Sequence, residues 1–150
     1  MAEKKEASLA AGSEHGKLYL SLFSPERRLL TRVVVDYVRL PSSEGEIEIL
    51  EGHASMVGLL ETGVVRYRIA GEGEHLGIVS SGSFQVEHNH VKVLAETLEL
   101  PGEIDTDRAR RAQKKAEEML NAASLEAGSF KKYQLKLERA LIRQQAASGR

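Results

Sequence analysis

A chain of 150 residues holds one domain of ordinary size, or a small sandwich of about 80 residues with an appendage. Charged residues make up 29% and nearly cancel to a formal net charge of -1, which excludes a whole-molecule field able to hold DNA or an acidic membrane. With no cysteine there is neither a disulfide framework nor a thiolate metal site, in keeping with a reducing, cytoplasmic compartment.

Met1 to Gly16 mixes Glu3, Lys4, Lys5 and Glu6 with small residues and has no apolar core of a signal peptide, so it reads as a disordered tail. No later run approaches the ~20 apolar residues of a membrane span. From Leu18 the pattern has period two: Leu18, Leu20 and Leu22 alternate with Tyr19, Ser21 and Phe23, and Ser24-Pro25-Glu26-Arg27 turns the chain. Further strands are expected over 28–31, 32–40, 45–50, 64–70, 73–80, 83–87 and 91–96, separated by turn-forming clusters such as Ala70-Gly71-Glu72-Gly73 and His88-Asn89-His90. Short strands at regular spacing predict an antiparallel β-sandwich over 17–100. With no Trp and three Phe, its core is expected to be Val, Ile and Leu, a scaffold more readily than a pocket.

His88 and His90 share a strand face but flank a predicted hairpin tip, with Glu87 on the other face, so no metal site is expected there. His53 and His75 stand alone, as structural histidines usually do. No Ser/His/Asp order near a strand-to-helix elbow, no Walker-type glycine loop and no pocketed pair of acids points to catalysis.

The period changes between Leu98 and Ile104, across Leu-Glu-Leu-Pro-Gly-Glu-Ile, and 101–150 predicts a helical hairpin, making the fold α+β by segments. At 100° per residue Ala109, Ala112, Ala116, Met119, Leu120 and Ala123 form one stripe, mostly alanine, suited to close approach of a second helix. Asp105 and Asp107 suit the positive end of that helix. Gly128 is expected to end it, Ser129 to cap the next, and the second helix to run from about Phe130 to Ala146, antiparallel to the first. That helix carries one apolar stripe (Phe130, Tyr133, Leu137, Ala140, Leu141), a basic stripe (Lys132, Lys136, Arg139, Arg143) and a second apolar stripe (Leu135, Ile142, Ala146). Either the two apolar stripes touch the first helix and the sandwich, or the helix has a partner within the chain and another outside it, the basic stripe then facing something acidic.

Val35-Asp36-Tyr37-Val38-Arg39-Leu40-Pro41 through Gly52-His53-Ala54, with Leu59, Leu60 and Gly63, and the junction run Ile104-Asp105-Thr106-Asp107-Arg108-Ala109, resemble the epsilon-subunit family of F-type ATP synthases from about Lys17 onward. The family usually has glycine where Glu48 stands and proline where Ser55 follows His53-Ala54, departures that bear on local turns. The resemblance implies a sandwich and helical hairpin in the central stalk, beside the gamma subunit and on the membrane rotor ring of c subunits, at the cytoplasmic face of the bacterial inner membrane. Membrane association would be through the complex alone. It implies no catalytic residue and no required cofactor. It also implies a hairpin that can extend toward the catalytic alpha and beta subunits and restrain ATP hydrolysis, its basic stripe meeting an acidic loop.

In relatives that bind ATP as a regulatory ligand, the matching positions are Glu99, Asp105, Arg108 and Ala109, with Lys115 in place of a further arginine. Arg108, Arg111 and Lys115 line one side of the first helix, a like-charge row that triphosphate would neutralise, unless Asp107 beside Arg111 and Glu118 near Lys115 already do so. The expected function is a non-catalytic rotor subunit that couples rotation and inhibits hydrolysis. The rivals are a stand-alone nucleotide-sensing module and, more remotely, a metal hydrolase on a sandwich.

Overall fold

The structure, a computed structural model, describes residues 16–122 and 126–148; the expected tail, apart from Gly16, lies outside them. Among the described residues nine strands come first, one fewer than in the ten-stranded sandwich that the resemblance implies, because the stretches expected at 28–31 and 32–40 are a single strand: β1 (Leu18–Phe23), β2 (Arg28–Ser42), β3 (Gly45–Ile49), β4 (Met56–Leu60), β5 (Gly63–Ile69), β6 (Gly73–Val79), β7 (Gly82–Glu87), β8 (His90–Ala95) and β9 (Leu98–Glu99). A 3-10 turn at Pro101–Glu103 leads to α1 (Thr106–Leu120) and α2 (Ala127–Ala147). The fold is the expected β-sandwich followed by two helices.

The fifteen-residue β2 is the spine. It pairs with β1 over its first half and with β3 over its second, while β5 occupies its other edge at Val35, Val38 and Arg39. From β1 the pairings run through β8, β7 and β4 and return to β2 at Ser42 and Leu60. All are antiparallel except β1 with β8. The two strands expected at 28–31 and 32–40 are therefore one strand with a bulge: the register slips there, and Arg32 takes a φ of 48° that turns its N–H to Ser21 Oγ at 2.9 Å.

Leu18, Leu20 and Leu22 are all buried, as their alternation predicts, and join Val35, Val38, Leu40, Ile49, Leu60, Val65, Val91 and Val93 in one core. Tyr67 and Phe84 are its aromatic members. Each such side chain stabilises the fold by roughly 1.5–3 kcal/mol. β4 and β9 do not stand among the expected strands.

In α1 Asp105 is the N-cap, its side chain accepting from the Arg108 N–H at 3.0 Å, and Asp107 adds negative charge to the first turn. Ala109 and Ala116 are buried, Met119 and Leu120 half-buried, Ala112 exposed; Ala123 and Leu125 lie outside the described residues. The second helix begins earlier than expected. The Phe130 N–H already bonds the Glu126 carbonyl at 3.0 Å, so Gly128 is not a C-terminal stop and Ser129 is not a cap; both sit in the first turn of α2. First-turn N–H groups have no partner four residues back, so glycine disturbs the helix least there. α2 packs along α1 and rests on β5, β6 and the 3-10 turn.

Candidate functional site

The joint between the modules is assembled from short-range devices. Leu98 is buried and pairs with Val79, which aligns Glu99 with Ile78 at the sheet edge. The Leu100 N–H bonds Glu103 Oε2 at 3.2 Å, and Arg27, from the turn after β1, donates to the same oxygen at 2.7 Å. Arg27, helped by the Leu100 N–H, holds the Glu103 carboxyl below the usual carboxylate range. Asp105 is spent on the cap of α1. Glu99 receives both arms of Arg143: Nε to Oε2 at 2.7 Å and Nη2 to Oε1 at 2.5 Å. Each junction acid therefore has a structural partner.

Two cavities meet at this joint. One of about 170 Å³ is lined by Glu99, Glu103, Asp105, Arg108, Ala109 and Arg143. The other, of about 240 Å³, lies between the helices; its charged lining is Arg108, Lys115, Lys136, Arg139 and Arg143, with no carboxylate, and Tyr133 and Ala140 line it too. Of the residues picked from sequence, Glu99, Asp105, Arg108 and Ala109 share the first cavity, whereas Lys115 lies in the second. Lys136, Arg139 and Arg143 of the basic stripe turn into that same cleft, and Arg108 and Arg143 border both. Two sites expected to be separate are thus contiguous. Lys132 stays outside, its Nζ 5.8 Å from the Tyr133 ring centroid; Lys136 Nζ approaches the ring to 5.3 Å.

The electrostatics of the row differ from expectation in two places. Asp107 sits 4.0 Å from Arg110, not on Arg111, and among the described residues no carboxylate lies within 4.0 Å of Arg108, Lys115, Lys136 or Arg139. Arg139 Nε is buried with no hydrogen-bond partner among them, an unmet donor beside the cleft. In the docked hairpin the acid facing Arg143 comes from the same chain, Glu99. That pair spans 44 residues, and sequence carries no local signal for it.

His90 lies against Ser21, Oγ to Nε2 2.7 Å, and His88 is an exposed turn residue with φ 49°. His75 stacks on Tyr67 with ring centroids 5.5 Å apart, and the His53 ring N–H donates to the Ala54 carbonyl at 2.8 Å.

Fold and joint together define a class: a β-sandwich carrying a helical hairpin, with a cationic cleft where the two meet. The family model of the ATP synthase delta/epsilon chain β-sandwich domain matches residues 17–101. The chain is 41% identical over 136 residues to the ATP synthase epsilon chain of Geotalea daltonii, covering 89% of this chain and 97% of that one. It is 40% identical over 131 residues to that of Geobacter metallireducens, covering 87% and 94%. The chain therefore belongs to the ATP synthase delta/epsilon chain family. Its fold is also that of a chain in the Euglena gracilis mitochondrial ATP synthase, with TM-score 0.78, 19% identity and coverage of 99% and 91%. A second such chain is in the Tetrahymena thermophila mitochondrial enzyme, with TM-score 0.63, 16% identity and coverage of 87% and 96%.

Proposed function

We propose that this chain is a central-stalk subunit of a bacterial F-type ATP synthase that does no chemistry of its own. Seated against the gamma subunit and the rotor ring of c subunits, it transmits rotation between proton flow and the catalytic head. No helix among the described residues is long and apolar enough to cross a membrane, and the reading makes its membrane association peripheral, at the cytoplasmic face of the inner membrane. The exposed side chains Val57, Leu59 and Leu94 on the outer sheet face are apolar surface for a stalk neighbour to cover.

The hairpin is the regulatory part: docked, it leaves the enzyme free to hydrolyse ATP, and extended, it reaches the alpha and beta subunits and restrains hydrolysis. One observation carries this. Among the described residues, the side chains fully buried in the hairpin are alanines, Ala109, Ala116, Ala140 and Ala146, while Phe130, Leu135 and Leu141 stay exposed on α2. A helix so lightly held, with unused apolar surface, is suited to a second docking partner.

ATP is the regulatory ligand in this reading. Its phosphates meet Arg108, Lys115, Lys136 and Arg139 in the cleft, next to Glu99, Asp105 and Ala109. Lys115 supplies a point charge in place of a guanidinium fork, so affinity is low. Nucleotide is needed for no step of coupling.

A fragment ending at Leu100 tests the whole, because every residue of the core cluster lies between Leu18 and Leu98. It is expected to fold cooperatively, co-purify with gamma and support ATP synthesis, with hydrolysis raised. A fragment that folds but leaves gamma behind overturns the coupling reading. A stand-alone nucleotide sensor, the rival, binds ATP as the full chain and captures no gamma.

A further inference from the structure

We infer that the Glu99–Arg143 pair is the clasp that sets how long α2 stays docked on the sandwich, an inference that rests on the hairpin-regulation reading above. Among the described residues it is the one ion pair and the one side-chain hydrogen-bonded link joining α2 to the strands. The remaining polar tie of α2 to another element, Gln144 Nε2 to Gln113 Oε1 at 2.6 Å, stays within the hairpin. Geometry makes the clasp strong for its size. The two parallel N–H···O bonds fix the guanidinium plane as well as its position, and the side chains keep 25% and 31% of their surface, so solvent screening is partial. Its placement matters equally. Glu99 sits on β9, held to β6 just ahead of the 3-10 turn about which the hairpin would leave. Arg143 is in the last part of α2, next to buried Ala140 and Ala146. α2 buries only alanines fully and leaves Tyr133, Leu137 and Ile142 half-buried, so losing the fork shifts the balance toward the undocked state.

The experiment uses the full chain, whose lack of cysteine allows clean labelling of exposed Glu61→Cys on the sandwich and Gln145→Cys on α2 with spin labels. Distance distributions then give the docked and undocked fractions. Arg143→Ala is expected to raise the undocked-to-docked ratio about tenfold, on the scale of hydrogen bonds to charged groups. Arg143→Lys should fall between, because it keeps the charge and loses the fork. The exchange Glu99→Arg with Arg143→Glu should recover most of the docked population. Raising salt from roughly 0.05 to 1 M should undock the wild type and leave Arg143→Ala unmoved. A wild-type distribution in Arg143→Ala, or an exchange variant no better docked than the single one, overturns the clasp. ATPase assays of the assembled enzyme separate the two ideas: undocking without changed hydrolysis keeps the clasp and sinks the regulation reading, and unchanged docking sinks the clasp whatever hydrolysis does.

Discussion

Gly58 and Phe84 face each other across the β4–β7 ladder, and the ring occupies the space that a side chain at 58 would need: a Cβ there would lie 2.6 Å from the ring's Cε1. Phe84 is a core residue, so its ring sits among close-packed neighbours. Gly58→Ala should therefore cost about 1–3 kcal/mol, the usual penalty for overpacking, read as a lower midpoint in urea at unchanged slope. An unaltered midpoint would show that the ring turns aside freely.

Acid should weaken the sandwich through His90. Burial first, then the nearby charges of Lys92 and Arg32, lowers its pKa below the ordinary histidine value. The Ser21 hydroxyl oxygen accepts from Arg32 N–H, so its hydrogen can go to Nε2 of the neutral ring. The unfolded chain takes up a proton near pH ~6.5 and the folded chain only lower, so this contribution is complete above ~6.5 and is lost as pH falls from there through the folded value. Urea midpoints across that window should fall with acid in the wild type. In His90→Gln the part due to this group should vanish, and an equal slope would remove the assignment.

Millimolar ATP titrated into the chain should give measurable heat, reduced in Arg108→Ala. Lys115→Arg should tighten binding several-fold by restoring a fork for phosphate, provided the cleft is where the triphosphate sits. No heat in wild type, together with no gain in Lys115→Arg, would make the cleft only a solvated gap between helices.

In the assembled enzyme, replacing Lys132, Lys136, Arg139 and Arg143 together by alanine should raise hydrolysis and make it less dependent on salt, with synthesis little changed. Exposed ion pairs contribute about 0.2–1 kcal/mol each, so Lys132→Ala alone should be nearly silent. Arg143→Ala alone should instead lower hydrolysis, since it abandons Glu99 and undocks α2 while the other three cations remain. Hydrolysis unchanged in the quadruple variant, with the subunit still bound, would leave the row no inhibitory role.

How much of this could be read from sequence depended on whether a feature was local. Alternation exposed β1 because the buried Leu18, Leu20 and Leu22 alternate with half-exposed Tyr19 and Phe23, although the polar Ser21 between them is buried as well. It hid β4, where the outward residues Val57 and Leu59 are also apolar, 76% and 64% exposed, so no alternation is left to see. β9 is two residues long, too short for any period. The acids at the start of α1 were legible as partners of its positive end, as was the joint itself, but that Asp105 caps the helix from outside was not. That Lys115 and Arg143 share a cleft was not, because it depends on which faces α1 and α2 turn toward each other, and an alanine-rich stripe fixes that angle weakly. The early start of α2 was missed because Gly128 carries the same letter as a helix stop.

The continuity of β2 has a mechanical meaning. A strand that holds β1, β3 and β5 along one covalent backbone, with a bridge to β4 at Ser42, divides a sideways pull among three ladders, and those ladders resist in shear, many hydrogen bonds at once, whereas a frayed edge would peel one bond at a time. In the proposed stalk role, torque entering at one end of the sandwich would leave at the other with little twist lost between, and the two helices, outside that girder, would undock without slackening it.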